Sequence, residues 1–485
     1  MSCVRRVLLR PQAQRRCRAV PSVMHRLATA AASDTSTDAR MRDFVDYVLR
    51  EPERRQHIGH AAVQSIEVTR VGANSPCEDA YTVAHCKPTD TLLAGVFDGH
   101  AGTACSNFVA ATLFEYCCAA GAVAQGYAAD QLSPSALETL FTSATKKLVN
   151  QRQHYNNLRA FVHTVHNYKT VLDRLQAAFE ALDDDLSHAA QAVTDLDSNP
   201  VSRAYVDAAA SGSCATVAHI HDMHLHIASA GDSRAVLGTL ATDTGGWTAR
   251  RLSREHHVEN PAEVKRIRSA HPQLEWDSVL RGGRLLGQLY PLRAFGDFVY
   301  KWPAVVQREV FSLAYGHHMV PAGLHSPPYL TAKPDVFYHR LTPNDRFLVL
   351  ATDGLWDFMS PETVVRMLSD HMDGKQTLAP YESPLGATLQ RVVGELRKRK
   401  AGESKRPLDE NGATHIVRHA LGGTDGYKQY HRLLAAVQMP AELARDYRDD
   451  ITVVVVYFDA HYLAQSYRHA SQLIAHTGAG GDVCP

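Results

Sequence analysis

Carboxylates recur at the ends of apolar, β-prone segments, and no other feature of this sequence constrains its fold as strongly. Asp98 follows the apolar run 92–97, and Asp353 follows the run 347–352. A carboxylate at the end of a buried strand is costly to desolvate unless a cation compensates its charge. Several such carboxylates converging on one point therefore indicate a bound metal ion. The acids in positions of this kind are Glu78, Asp79, Asp98, Asp232, Asp353, Asp357, Asp449 and Asp450.

The chemistry of these segments favours Mg²⁺ or Mn²⁺. The acids offer only oxygen ligands, which suit a hard, octahedral ion that keeps water in its shell. Gly99 allows close approach of the backbone to an ion, and His100 is a proton-transfer group with a pKa near neutrality. Two ions about 3.5–4 Å apart can activate water and clamp a phosphoryl group, which favours hydrolysis of a phosphate ester. Any one acid alone is more often a turn residue or a helix N-cap.

Hydrophobic periodicity predicts a mixture of helices and strands. Apolar residues recur at steps of three and four from Leu172 to Leu186, which predicts an amphipathic helix facing the core. Two β-rich runs at 216–220 and 225–230 predict a hairpin. The run 451–458 predicts a further buried strand.

The chain shows no internal repeat and no domain-scale linker after residue 60, so we predict one large catalytic domain. A charged stretch punctuated by Gly and Pro predicts a surface insertion. The predicted segments are a lead-in at 34–57, the catalytic domain at 58–462 with its insertion near 398–412, and a C-terminal tail at 463–485.

Charge is distributed unevenly along the 485 residues. The 51 Lys and Arg balance 51 Asp and Glu, which argues against a nucleic-acid binder. Residues 1–33 hold seven arginines and no acid, and subtracting these leaves 44 basic against 51 acidic residues. This composition predicts a mitochondrial transit peptide, with a disordered basic tail as the alternative. No run reaches the ~18 consecutive apolar residues of a membrane span.

The cysteines and one group of histidines carry less information. The nine cysteines include no Cys-x-x-Cys pair, so we expect free thiols in a reducing compartment. Four histidines alternate along the predicted hairpin, and exposed strand positions account for them better than a metal cluster. They are His219, His221, His224 and His226.

Short segments spread over residues 78–458 carry a family resemblance. They are Glu78–Ala80, Val96–Gly102, Ser211–Ala215, Ala230–Ala235, Leu292–Asp297, Ala351–Asp357 and Arg448–Val453. Each is individually weak, but together and in this order they resemble the metal-dependent (type-2C) Ser/Thr protein phosphatases. The resemblance implies an α+β fold, the αββα sandwich, in which two central antiparallel β-sheets are flanked by helices and carry insertions.

Within that family the chain is most similar to the mitochondrial branch that acts on pyruvate dehydrogenase. The segments that carry this closer resemblance include Gly283–Asp297, Lys301–Trp302, Pro327–Ala332 and Ala441–Arg445. It implies a matrix enzyme that hydrolyses phosphoserine on the pyruvate dehydrogenase α-subunit and so reactivates the complex. Docking to the lipoyl-bearing acyltransferase is a further implied contact.

The resemblance also implies a set of metal ligands. Asp98 would bridge two ions, Glu78 and the Gly99 carbonyl would complete the shell of one, and Asp353 with Asp449 would hold the other. A weaker third site would involve Asp232 and Asp357. A metal-bridging hydroxide would then attack phosphorus while His100, as general acid, protonates the departing seryl oxygen.

Two positions depart from the wider family. Asn74 occupies the position of a phosphate-binding arginine found in many relatives, so phosphate would be held by metals, by Asn74 or by a basic residue from elsewhere. Asp450 replaces a common Asn and adds negative charge near the second ion. Two alternatives stay open, a phosphatase for a different phosphoprotein and a catalytically inactive scaffold of the same fold.

Overall fold

Two six-stranded antiparallel sheets form the centre of the structure. A computed structural model describes residues 35–127, 136–144, 150–196, 200–241, 245–315, 319–374, 381, 383–400, 408–423 and 427–477. The strands are β1 (Arg54–His60), β2 (Val63–Val71), β3 (Ala80–Cys86), β4 (Thr91–Phe97), β5 (Gly99–His100), β6 (Leu137–Thr142), β7 (Gly212–Ser213), β8 (Ala215–His221), β9 (His224–Ala230), β10 (Arg234–Leu240), β11 (Trp247–Arg251), β12 (Leu280–Arg281), β13 (Arg284–Leu285), β14 (Phe295–Gly296), β15 (Asp335–Arg340), β16 (Asp345–Ala351) and β17 (Ile451–Phe458).

One large sheet has the strand order β1-β2-β17-β16-β10-β11, and the other has the order β15-β9-β8-β4-β3-β6. The α-helices are α1 (Thr35–Arg50), α2 (Ala104–Ala124), α3 (Gln151–Val165), α4 (Val171–Gln191), α5 (Pro200–Ala210), α6 (Pro261–Ala270), α7 (Trp276–Val279), α8 (Ala304–Ala314), α9 (Asp353–Trp356), α10 (Pro361–Met372), α11 (Leu389–Lys400), α12 (Gly412–Leu421), α13 (Tyr427–Gln438), α14 (Ala441–Tyr447) and α15 (Ala460–Thr477).

Three apolar cores separate four layers. Inward-facing residues of both sheets, such as Val96 and Leu350, form the central core. Helices α2, α4 and α5 cover the outer face of the second sheet, where Phe179 is buried. Helices α1, α10 and α12 cover the first sheet, where Ile416 is buried. The order helix, sheet, sheet, helix confirms the predicted αββα sandwich.

The strand register brings distant acids together. In an antiparallel pair, the end of one strand lies beside the beginning of its neighbour. Phe97 at the end of β4 pairs with Ala80 at the start of β3. Ala351 at the end of β16 pairs with Arg234 at the start of β10 and with Val453 in β17. The acids that flank these strand ends, Glu78, Asp98, Asp232, Asp353 and Asp449, are thereby brought to one edge of the sandwich.

Most element predictions are confirmed. The hairpin is β8 and β9, and the run 451–458 is the central strand β17. Helix α4 contains the apolar stripe, although Leu172 at its first turn is 40% exposed. Helix α2 is long and apolar enough to cross a membrane, but 67% of its apolar stretch is buried inside the protein.

Two expectations for single residues are wrong. His219 is buried, because its ring packs edge-on against His226 in the next strand, with the ring centroids 5.7 Å apart. Cys86 and Cys118 form a disulfide rather than free thiols. Antiparallel pairing places the two histidine rings side by side, and the packing of α2 on β3 brings the two cysteines together.

The predicted segment boundaries fall partly outside the described residues. Residues 1–34, 401–407 and 478–485 are not described, so the transit peptide and the centre of the insertion lie beyond what the structure shows. Within the lead-in, α1 buries Val45 and Leu49 in the core. Within the tail, α15 continues to Thr477.

A buried ion pair fastens α1 to the domain and leads to a stability prediction. Arg418 donates to both carboxylate oxygens of Asp409 at 2.7 and 2.8 Å, and it also pairs with Asp46 of α1 at 2.8 Å. We expect Asp409→Ala to lower the free energy of unfolding by about 3 kcal/mol, because a buried guanidinium loses its main partner. Urea unfolding measures this effect. The exposed neighbour Glu410 is the control, and equal stability of Asp409→Ala and Glu410→Ala would contradict the assignment.

Candidate active site

Three carboxylates from three strand ends form the centre of the acidic cluster. The nearest oxygens of Asp98, Asp232 and Asp353 all lie within 4.8 Å of one another. The backbone N–H of Asp353 points to Asp98 Oδ2 at 3.4 Å. The predicted bridging ligand Asp98 belongs to this group, and so does Asp232, which the family resemblance places in a weaker third site.

Burial and mutual repulsion make the cluster unfavourable without a cation. Burial raises the pKa of Asp98 well above its usual range, and the nearby charge of Asp353 raises it further. The pKa of Asp353 is raised in the same way, by burial and then by Asp449 and Asp232. Asp353 Oδ1 is also buried with no hydrogen-bond partner among the described residues. An orphaned carboxylate oxygen facing other acids fits a metal ligand.

The remaining predicted ligands surround this centre. Glu78 Oε1 accepts a hydrogen bond of 2.7 Å from the Gly102 amide, and burial raises the pKa of the Glu78 carboxyl. Asp449 accepts from the Asp450 amide at 2.7 Å. Asp357 follows α9, and burial and then the charges of Asp449 and Asp232 raise the pKa of its carboxyl.

Gly99 has a strict steric role at the site. A Cβ atom at this position would overlap the backbone oxygen of Glu78 and the hydroxyl of Ser106. Ser106 Oγ donates to the same Glu78 oxygen at 2.5 Å. The absence of a side chain at Gly99 therefore allows β5 and the segment before β3 to approach closely, which fixes the backbone of Glu78 beside Gly99.

Asp450 anchors the loop that carries Glu78. Its two oxygens accept from the amides of Ala73 at 2.5 Å, Asn74 at 2.8 Å and Glu78 at 2.7 Å, and from the side chain of Asn74 at 3.0 Å. Burial raises the pKa of Asp450, but these hydrogen bonds outweigh it and hold the pKa below its usual value. The negative charge of Asp450 is therefore stabilised by hydrogen bonds from backbone amides.

His100 is paired with an acid that the sequence did not single out. His100 Nε2 lies 2.6 Å from Asp297 Oδ2, and the Asp297 carboxylate is buried. Burial lowers the pKa of His100, but the charge and hydrogen bond of Asp297 outweigh it and raise the pKa. A Cβ at Gly212 would overlap both side chains. The motif Leu292–Asp297 supported the family resemblance, yet only the fold reveals this contact.

Arg445 is the second functional candidate missed from the sequence. It lies on α14, one turn before Asp449, and its guanidinium contacts the Asp449 carboxylate. Burial lowers the pKa of Arg445, but Asp449 and then Asp353 and Glu78 raise it above its usual value. The guanidinium thus contacts one predicted metal ligand, Asp449, and the charges of two others, Asp353 and Glu78, also act on it.

The fold and this carboxylate cluster define a metal-dependent phosphatase. Residues 149–399 match the family described as Protein phosphatase 2C. The chain belongs to this family and is a protein serine/threonine phosphatase.

Two similar proteins are named as pyruvate dehydrogenase phosphatases. The chain is 37% identical to pyruvate dehydrogenase [acetyl-transferring]-phosphatase 1, mitochondrial, of Rattus norvegicus, over 85% of this chain and 80% of the relative. It is 35% identical to the corresponding phosphatase 2 of Homo sapiens, over 84% of this chain and 80% of the relative. Among solved structures, a serine-threonine phosphatase 2C from Toxoplasma gondii covers 84% of this chain and 99% of its own, at 17% identity and a TM-score of 0.44.

Proposed function

We propose that this phosphatase removes phosphate from phosphoserine on the pyruvate dehydrogenase α-subunit in the mitochondrial matrix. The observation that carries the catalytic part is the buried cluster of Asp98, Asp232 and Asp353 with an orphaned oxygen. The substrate is supported by relatives that are named for pyruvate dehydrogenase and match most of the chain. The compartment is supported by their names and by the arginine-rich, acid-free residues 1–33.

The proposed ligand set uses two Mg²⁺ or Mn²⁺ ions. Asp98 would contact both, Glu78 and the Gly99 carbonyl would contact one, and Asp353 and Asp449 would contact the other, with Asp232 and Asp357 available to a third. The chemistry that such ions supply when bound is activation of water and neutralisation of phosphoryl charge. Hard carboxylate and carbonyl oxygens are the donors these ions prefer.

The protein's own contribution to bond cleavage would come from His100. An alkoxide leaving group such as serine needs a proton as the P–O bond breaks. Asp297 engages Nε2 of the ring, which leaves Nδ1 as the nitrogen that transfers a proton to the departing seryl oxygen. The carboxylate of Asp297 also stabilises the imidazolium from which that proton comes.

Asp297→Asn tests the positioning role of this carboxylate. We expect kcat on a phosphoserine substrate to fall about 10–100-fold, by analogy with the loss of a carboxylate that orients a metal-bound histidine. The KM should change little, because Asp297 is buried behind His100. Steady-state kinetics on a phosphoserine peptide measures both constants. Loss of substrate affinity with unchanged kcat would contradict the role.

Import and substrate assays test the biological proposal. A reporter that carries residues 1–33 should enter the matrix and lose the leader there. The full chain with Mg²⁺ should release phosphate from phosphorylated dehydrogenase complex faster than from an unrelated phosphoprotein. Retention of the reporter in the cytosol would contradict the proposed compartment, and equal rates on both substrates would contradict the proposed specificity.

Docking to the lipoyl-bearing acyltransferase belongs to the same proposal and predicts co-sedimentation of the chain with the acyltransferase core.

A further inference from the structure

The site needs a hydrogen-bond donor for the phosphoryl oxygens, and the side-chain amide of Asn74 already donates to two carboxylates of the protein. Its side-chain amide donates to Glu78 Oε2 at 3.2 Å and to Asp450 Oδ2 at 3.0 Å. Its backbone amide donates to Asp450 Oδ1. Since a primary amide has only two protons, this geometry uses both to hold the loop together. Asn74 therefore bridges the carboxylates of Glu78 and Asp450 by hydrogen bonds.

Arg445 has the position and exposure that a phosphate donor requires. Its guanidinium contacts Asp449, and 35% of its side chain is exposed, so it lies at the border between the acidic cluster and solvent. The charges of Asp449, Asp353 and Glu78 all act on it. An incoming phosphoryl group at those ligands would meet this guanidinium at the rim.

Two neighbouring arginines are engaged differently. Arg448 donates to the backbone oxygens of Gly72 at 2.6 Å and Asp449 at 3.3 Å. Arg234 pairs with Glu255 and stacks on the ring of Trp356, 5.7 Å from its centroid. Both therefore stabilise the walls of the site. Of these three arginines, Arg445 is the one whose guanidinium pairs with the carboxylate of a proposed metal ligand.

The guanidinium chemistry fits this role. Arginine has five N–H donors in a planar fork, so it can contact a carboxylate on one edge and phosphate oxygens on another. Charge-assisted bonds from arginine to phosphate are strong and directional. A metal ion bound at Asp449 would neutralise the charge of that carboxylate. The guanidinium of Arg445 would then remain available to bind a dianionic phosphoryl group.

We infer that Arg445 binds the phosphoryl group of the substrate and supplies the contact that Asn74 does not. The inference rests on the proposed function, since it concerns the same site. It assigns substrate affinity to a residue on α14, whereas Asn74 maintains the loop that carries Glu78.

Phosphate binding and catalysis can be measured separately to test this. The full-length chain, Arg445→Ala, Arg445→Lys and the control Arg432→Ala, an exposed arginine on the preceding helix, are saturated with Mn²⁺. Calorimetry then gives the affinity for Mn²⁺ and for inorganic phosphate, and kinetics gives kcat and KM on a phosphoserine peptide. We expect Arg445→Ala to weaken phosphate binding and raise KM roughly tenfold or more, the effect of losing a hydrogen bond to a charged group. Arg445→Lys should recover part of the affinity, and Arg432→Ala should match the unmodified chain.

The outcomes separate the two claims. Unchanged phosphate affinity in Arg445→Ala overturns the inference while leaving phosphatase activity intact. Weakened Mn²⁺ binding with normal phosphate affinity at saturating Mn²⁺ also overturns it, because Arg445 would then only position Asp449. If the unmodified chain binds phosphate through Arg445 but cleaves no phosphoserine peptide, the inference holds and the proposed function fails.

Discussion

Asp98→Asn should reduce hydrolysis of phosphoserine by about 1000-fold or more. Asp98 lies at the centre of the cluster, within 4.8 Å of Asp232 and Asp353, and is proposed to contact both ions. The substitution would weaken a ligand that the two proposed sites share, and metal ions in such sites supply several kcal/mol of transition-state stabilisation. Phosphate release from a phosphoserine peptide measures the loss, and calorimetry with Mn²⁺ should show weaker binding.

The same substitution should leave the fold intact. Burial and neighbouring charges raise the pKa of Asp98, so the metal-free protein gains nothing from that carboxylate when it is ionised. We therefore expect the thermal midpoint of metal-free Asp98→Asn to equal or exceed that of the unmodified chain. The exposed Asp277 provides a matched Asp→Asn control that should keep full activity. Retention of more than about a tenth of the activity by Asp98→Asn would contradict the ligand assignment.

His100→Ala should slow hydrolysis selectively for poor leaving groups. The expected loss on a phosphoserine peptide is about 100- to 10,000-fold, the range typical of general acids. The kcat for a nitrophenyl phosphate should fall by less than about tenfold, because nitrophenolate departs without a proton. Comparing kcat for the two substrates isolates proton transfer from metal chemistry.

A histidine outside the site provides the control for this measurement. His57 is exposed on β1, so His57→Ala should leave both rates unchanged. If His100→Ala lowers kcat for both substrates by the same factor, then His100 positions the site as a whole and the general-acid role is wrong. Asp297→Asn should resemble a weaker form of His100→Ala, since it acts through the same ring.

The sequence could predict the acids of the site because each lies at the end of a recognisable strand. Apolar runs mark β4, β16 and β17, and a carboxylate directly outside such a run is costly to bury unless a cation lies beside it. The layered fold followed from the family resemblance carried by the short motifs.

The contacts that complete the site depend on long-range packing. His100 and Asp297 are 197 residues apart, and no local pattern pairs them. Arg445 and Asp449 are only four residues apart, but Asp449 lies beyond the C-terminal end of α14, so helical spacing alone did not predict their contact. The same limit applies to Asp450, because the three backbone amides that donate to its carboxylate lie more than 370 residues earlier in the chain.

Metal dependence of phosphoserine hydrolysis is the most direct test of the central claim. The full chain is incubated with the phosphorylated pyruvate dehydrogenase α-subunit in Mg²⁺ or Mn²⁺, then with a chelator, then with metal restored in excess. We predict phosphate release with either ion, background rates in chelator, and full recovery on adding metal back. Undiminished activity in chelator would contradict a mechanism built on the Asp98, Asp232 and Asp353 cluster.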